Sequence, residues 1–135
     1  MAELDLAMPF ASIEAIVHPD FSAVPLPYAT LLELRCGAAP APALAALLPR
    51  QPNHARDHGA WRHIWMRPDA WLLHHERPAM APDPAFAAGQ AAGICNVADV
   101  SHGRCVIRLA GDAVRDVLSS GTPLDLRARN SGPGR

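Results

Sequence analysis

Short segments in which apolar and polar residues alternate with a period of two run through the middle of the chain. In Thr30–Cys36 two leucines fall on one side and the charged residues on the other, which is typical of a half-buried β-strand. Trp61–Met66 alternates in the same way, with both tryptophans on one side. The sequence Arg-Pro-Asp-Ala at 67–70 predicts a turn, because proline pre-sets the second turn position. Trp71–His74 is then predicted to be the return strand.

Helical signals separate these strands. Pro42 suits the first position of a helix, and the alanine- and leucine-rich residues up to Leu48 continue it until the next proline. Asp83, followed by a proline, predicts a capped helix through about Gln90. A strand at Cys95–Val100 completes the order strand, helix, two strands, helix, strand. That order predicts a ferredoxin-like βαββαβ unit of the α+β class.

The segment from Val97 to Leu126 carries the densest set of agreeing local signals. Its β-branched and apolar residues flank Ser101–Arg104, where a glycine permits the positive φ of a tight turn, so a hairpin is predicted here. Gly111 and the aspartate after it supply a flexible entry and a capping oxygen for a helix. Gly121 suits the position after that helix, and a proline two residues later forbids its continuation. The βαββαβ unit is therefore predicted to be extended by a β-hairpin strand and a helix.

The two ends of the chain carry weaker patterns than its centre. Within residues 1–27, the aliphatic residues of Ile13–Val17 have the spacing of one or two helical turns, and prolines follow. We expect residues 1–27 to form an arm that is mobile or ordered by a partner, or else a disordered leader. Residues 28–126 form the predicted domain. Residues 127–135 lack apolar periodicity and form a predicted disordered tail.

The run DVSHGRCVIRLAGDAVRDVLSSGTPLDL, residues 99–126, resembles a characteristic run of sarcosine oxidase gamma subunits. RPDAWLL at 67–73 is similar to a second gamma-subunit motif, and D-V-S-H is distantly similar to a segment of the aminomethyltransferase (glycine-cleavage T-protein) family. This chain has Ala110 and Asp112 where the family has serine and proline. Such subunits normally run on after Asp125 through further strands and a helix, so the C-terminal part of the pattern is missing. The matched residues, structural in the family, include Asp99, Ser101, His102, Arg104, Arg108, Gly111, Gly121, Pro123, Leu124 and Asp125.

The resemblance implies a fold like the aminomethyltransferase folate-binding fold and a role as the non-catalytic gamma subunit of heterotetrameric sarcosine oxidase. Such a complex oxidatively demethylates sarcosine to glycine and passes the one-carbon unit to tetrahydrofolate. The family implies direct packing on the alpha subunit, alongside beta and delta subunits. The resemblance assigns the FAD, FMN, NAD and zinc of the complex to those other subunits, so no cofactor is expected on this chain. Two alternatives stay open, a stand-alone folate- or pterin-binding module and a truncated fragment without function.

The composition of the chain argues against several classes of function. The net charge of −1 gives no basic footprint for nucleic acid or for an anionic membrane. No apolar run is long enough to span a bilayer, and the N-terminal residues lack the basic start of a signal peptide, so a cytoplasmic location is expected. The chain has no lysine, which excludes Schiff-base and P-loop lysine chemistry. Half of the residues are hydrophobic, but many are alanine. We expect this core and an exposed pair, Trp65 and Trp71, to complete their burial against a partner.

Candidate chemical groups are scattered and do not form a recognisable catalytic set. His54, His58 and His63 share no helix face, and no thiol or carboxylate completes a tight metal-binding shell with them, so we interpret them as exposed loop histidines. The three cysteines form no CxxC pair and are expected to be reduced and partly buried. Asp99 and Ser101 share a strand face, which does not suit a Ser-His-Asp triad. We expect both to hydrogen-bond turn amides and Arg104 to anchor the hairpin.

Overall fold

A computed structural model describes residues 13–26, 29–37, 40–123 and 125–126. These residues form two antiparallel sheets, one of five strands and one of three, with three short helices. The elements, in chain order, are β1 Ile16–His18, β2 Phe21–Leu26, β3 Thr30–Cys36, α1 Pro42–Ala45, β4 Ala55–His58, β5 Trp61–Arg67, β6 Ala70–His75, α2 Pro84–Ala91, β7 Cys95–Asp99, β8 Val106–Ala110 and α3 Val114–Gly121.

The five-stranded main sheet has the spatial order β4-β5-β6-β3-β7, and every pair in it is antiparallel. Without β4, the remaining four strands and the helices α1 and α2 form a βαββαβ unit. The first strand of this unit, β3, lies between its third strand, β6, and its fourth, β7. This is the ferredoxin-like arrangement. The α+β, ferredoxin-like prediction is therefore confirmed.

The hydrophobic core lies between one face of the main sheet and the helices α1 and α2. The alternation in β3 sends Leu32 and Leu34 to this face, opposite Leu73 and Trp71 of β6. Each fully buried side chain of this size stabilises the fold by roughly 2 kcal/mol. The buried cluster comprises Leu32, Leu34, Cys36, Leu44, Leu48, Trp71, Leu73, Phe86 and Cys95.

Trp71 belongs to this core, so the prediction of an exposed tryptophan pair is wrong. Only 3% of Trp71 is exposed, and its indole Nε1 donates a hydrogen bond of 2.8 Å to the Pro49 carbonyl oxygen. Trp65, directly opposite on β5, is half-buried and packs against the same cluster. The interior of the main sheet is therefore completed by the chain's own residues.

His63 is buried on the same face, although a loop position was predicted for it. Its Nδ1 donates to the Leu47 carbonyl oxygen at 2.8 Å, and its ring packs edge-on against Phe86. Its place between two tryptophans in an alternating strand is the signal that identifies it as a core residue. The hydrogen bond replaces the solvation that the ring loses.

Burial of His63 has a consequence for stability. Desolvation lowers the pKa of the imidazole below its ordinary value of about 6.5. As the pH falls through about 6.5, His63 therefore takes up a proton in the unfolded chain before it does so in the folded chain. The contribution of His63 to the free energy of unfolding is thus fully present above pH 6.5 and is lost as the pH drops. Urea unfolding at pH 7.5 and 5.5 should show this loss. His63→Leu should weaken the dependence, and His102→Gln, at an exposed position, should leave it intact. Equal pH dependence in His63→Leu and the wild-type chain would contradict the assignment.

The predicted hairpin between β7 and β8 is not formed. Strand β7 pairs with β3 at one edge of the main sheet, whereas β8 pairs with β2 in a separate three-stranded sheet, hereafter the small sheet, of order β1-β2-β8. Ser101–Gly103 forms a single 3₁₀ turn in place of a tight hairpin turn, so the chain leaves one sheet and enters the other. The predicted strand and helix both exist, but the partner of the strand differs.

The N-terminal residues that the structure describes also differ from the expectation. Ile16–His18 is a strand and not a helical turn, and Phe21–Leu26 lies between it and β8. Residues 1–12 and the predicted tail at 127–135 lie outside the described residues. The polar segment Ala55–His58, predicted as loop, is an edge strand that pairs with β5.

The helix ends follow the predicted capping only in part. Asp83 caps α2, and its carboxylate accepts a hydrogen bond of 2.8 Å from the Ala85 amide, as predicted. The residue before α3 is Ala113 and makes no side-chain cap. Gly121 is the last residue of α3, not the residue after it as predicted, and its φ is not positive. Thr122 follows the helix in an extended conformation.

Candidate partner-docking surface

The turn that joins the two sheets is fixed by Asp99 and Ser101. The carboxylate of Asp99 accepts a hydrogen bond of 2.9 Å from the Ser101 amide. The Ser101 hydroxyl accepts from the Leu31 amide at 3.0 Å and donates to the Leu31 carbonyl at 3.4 Å. Hydrogen bonding by Ser101 holds the pKa of the Asp99 carboxyl below its usual value. Because Leu31 engages both the donor and the acceptor side of the hydroxyl, this serine acts as a structural clamp.

Two arginines after this clamp reach across to the main sheet. Arg104 lies 3.4 Å from Glu33 of β3, which also binds Arg35 at 2.5 Å. Arg108 of β8 forms an ion pair with Glu76, just beyond β6. Glu33 is partly buried, but the arginines and Glu76 are exposed, and ion pairs that reach into water add little to stability. Their effect is to set the position of β8 relative to the main sheet.

A close backbone contact fixes the other end of β8. Gly111 has a φ of +112°, and a Cβ built on it would lie 2.3 Å from the Asp20 carbonyl oxygen. The same oxygen accepts a hydrogen bond of 3.0 Å from the Ala113 amide. The β1–β2 turn is thus held against the start of α3. Of the other motif residues, Pro123 and Asp125 follow α3 as exposed residues, and Leu124 lies outside the described residues.

One face of the small sheet is open and is apolar apart from His18, which lies opposite Phe21 at one end. The strand register puts Ile16, Ala23 and Leu109 in one cross-strand row, and Pro25 and Ile107 in another row on the same side. Phe21 also points to this side, because the faces alternate along each strand. None of these residues is buried, and Ile107 is 50% exposed. We call this set, Ile16, Phe21, Ala23, Pro25, Ile107 and Leu109, the open apolar face.

Helix α3 adds a second apolar stripe beside the small sheet. Val114, Val117 and Leu118 lie on one side of the helix, and Arg115 and Asp116 on the other. None of the α3 residues is buried, in contrast to α1 and α2. An amphipathic helix and a sheet face normally bury their apolar sides against another layer. Exposed apolar surface of this kind is typical of protein–protein contacts.

A separate cleft of about 460 Å³ opens beside α1. Its volume is in the range of small-molecule sites, but apolar groups dominate its lining and the only charge among the lining residues is a guanidinium. The lining residues are Pro40, Ala45, Leu48, Arg50, Pro52, Trp65, Pro68 and Trp71. They provide no general base or nucleophile for a reaction.

The structure brings the rings of His58 and His63 within 5.9 Å of each other but does not assemble the three candidate metal ligands. His54 binds the Pro52 carbonyl, His58 binds the Asp83 carboxylate at 3.2 Å, and His63 points into the core. Within the described ranges, no three histidine, cysteine or acidic side chains are grouped closely enough to hold a metal ion. Nor is any helix in these ranges able to span a membrane.

Comparison with protein-family models finds no match to this chain, and comparison with curated proteins finds none either. A solved structure does match. It is a heterotetrameric sarcosine oxidase from Corynebacterium sp. U-96, in complex with pyrrole 2-carboxylate. One of its chains superposes with a TM-score of 0.64 and 27% sequence identity, over 94% of this chain and 68% of that chain. The chain is therefore similar to one chain of a multi-subunit enzyme, and the similarity does not distinguish which subunit that is.

Proposed function

We propose that this chain is the gamma subunit of a heterotetrameric sarcosine oxidase and acts as a structural subunit without chemistry of its own. The observation that carries the proposal is the open apolar face. It lies beside α3, and no residue of the small sheet or of α3 is buried. The similarity to a chain of a sarcosine oxidase supports the choice of complex. In this function the alpha subunit covers the open apolar face, and beta and delta subunits complete the heterotetramer.

The proposed division of labour follows from the resemblance to gamma subunits. In that family FAD, FMN, NAD and zinc belong to other subunits, and we propose that these cofactors and tetrahydrofolate bind the other subunits here as well. The described residues of this chain contribute apolar surface and a sheet junction held by hydrogen bonds. This chain would stabilise the alpha subunit by removing apolar area from water, at roughly 25 cal/mol per Å².

A charge placed in the open apolar face should abolish assembly. In co-expression with a tagged sarcosine oxidase alpha subunit, Ile107→Asp is expected to lower the recovered chain at least tenfold, because a carboxylate would be buried without a partner. Ile94→Asp is the matched control, since Ile94 is 47% exposed but lies outside the small sheet and α3. The melting temperature of each variant alone reports its folding.

Recovery of Ile107→Asp at the wild-type level would contradict this docking surface. Failure of the wild-type chain to bind the alpha subunit would contradict the proposed function. The alternative function, a stand-alone folate-binding module, predicts instead that tetrahydrofolate raises the melting temperature of the chain alone.

A further inference from the structure

Cys36 and Cys95 lie directly opposite each other on neighbouring strands. They are Cα partners in the antiparallel pair of β3 and β7, at the end of the register. Both thiols are free, and both side chains belong to the buried core, with 7% and 8% exposed. The linear sequence hides this proximity, because 58 residues separate the two positions.

The backbone hydrogen bonds identify which kind of cross-strand pair this is. The Cys36 amide donates to the Asp69 carbonyl at 3.1 Å, on the β6 side of β3, whereas the Leu31 carbonyl accepts from Val100 on the β7 side. Since the two sides alternate along a strand, Cys36 and Cys95 form a non-hydrogen-bonded pair. In such pairs the Cα atoms lie about 4.5 Å apart and the side chains are closest. That separation is within the range of roughly 4.4–6.8 Å that a disulfide requires.

We propose that Cys36 and Cys95 are a redox pair that closes to a cross-strand disulfide when a peroxide oxidises the chain. The inference is independent of the proposed subunit function, because it rests only on the register and burial of the main sheet. The third cysteine, Cys105, is exposed and has no such partner position in either sheet.

The chemistry balances with hydrogen peroxide as the oxidant. One thiolate attacks a peroxide oxygen, the O–O bond breaks, and a sulfenic acid and one water form. The second thiol then attacks that sulfur, the S–O bond breaks, the S–S bond forms, and a second water leaves. The two sulfurs lose two electrons in total, and the peroxide gains them.

The surroundings keep the pair reduced until the edge of the sheet opens. Burial raises the pKa of Cys36 to about 11 and also raises the pKa of Cys95, so thiolate is scarce at neutral pH. The Cys95 thiol donates to the Phe86 carbonyl at 3.5 Å. Strand β7 is an edge strand, and edge elements open locally more often than central ones. Oxidation is therefore expected to be slow, and the product to be stable once the edge closes again.

Closure would lock β7 onto β3. The disulfide would tie the edge strand to the strand that also carries Leu31, where the Ser101 clamp begins. Because the loop between the two cysteines is long, the unfolded chain would lose much of its freedom. We expect the melting temperature to rise by about 10 °C.

Peptide mapping provides a direct test, because trypsin separates the three cysteines. Cleavage after arginine, except before proline, gives Cys36–Arg50, His63–Arg104 and Cys105–Arg108. The full-length chain is reduced, incubated with hydrogen peroxide, alkylated and digested without reductant. The first two peptides are expected to appear as one linked species, two hydrogens lighter than their sum. Peroxide-treated chain in which both peptides are still fully alkylated, or are oxidised without a link, would overturn the proposal.

Matched variants extend the test to stability. Cys105→Ala should show the same link and the same rise in melting temperature, because it removes only the exposed thiol. Cys36→Ala and Cys95→Ala should each lack both effects. A peroxide-induced rise that persists in either of these two variants would assign the stabilisation to another site and contradict the inference.

Discussion

Gly111→Ala is expected to lower the free energy of unfolding by about 3 kcal/mol or more. A φ of +112° is strained for any residue with a Cβ, and the added carbon would also lie within 3 Å of three backbone atoms of Asp20 and Phe21. Backbone cannot move aside as a flexible side chain can, so the β1–β2 turn must separate from the start of α3. Urea unfolding measures the loss, and hydrogen exchange should locate it in β2 and β8.

Gly103→Ala is the control for this effect. A Cβ at Gly103 meets nothing within 4 Å, and its φ is not in the left-handed region. We expect a change within about 0.5 kcal/mol, the usual range for surface substitutions. Equal stability of Gly111→Ala and Gly103→Ala would mean that the contact between Gly111 and Asp20 does not hold the small sheet.

Phe86→Ala is expected to destabilise the chain by about 3–5 kcal/mol. Phe86 is fully buried at the centre of the layer between α2 and the main sheet, and its ring packs edge-on against His63 with centroids 5.5 Å apart. Truncation removes apolar contacts from the core and leaves a cavity that the surrounding strands cannot fill.

Equilibrium urea unfolding followed by tryptophan fluorescence measures this loss, since Trp71 lies in the same cluster. Ile94→Ala also truncates a large apolar side chain, but at an exposed position, and should cost less than about 0.5 kcal/mol. A Phe86→Ala chain that unfolds at the wild-type urea concentration would show that α2 does not carry the core.

The βαββαβ unit was predictable because its signals are local. The alternation in Thr30–Cys36 and Trp61–Arg67, and the Asp-Pro start of α2, each depend on neighbours within a few residues. The order of these elements then limits the topology to very few arrangements. The same order places the first and last strands side by side, so the opposition of Cys36 and Cys95 follows from the predicted fold, although the spacing of the cysteines alone does not reveal it.

The small sheet was not predictable from local patterns. Strand β1 has three residues, too few for a periodic signal, and β2 contains a proline that disfavours a strand. Strand β8 follows β7 closely enough to predict a hairpin, and only the distant Phe21–Leu26 segment provides its true partner. The open apolar face therefore emerges only when three segments from both ends of the described chain are assembled in register.

The edge strand β8 bears on the aggregation of the chain alone. It ends the small sheet, so its outer backbone groups are not paired by any strand in the described part of the chain. Apolar strands with such an edge tend to add to one another and grow into aggregates. Arg108, at the centre of β8, interrupts the apolar run with a charge, as gatekeeper residues do. Arg108 is thus expected to oppose aggregation, although its ion pair with Glu76 adds little to folding.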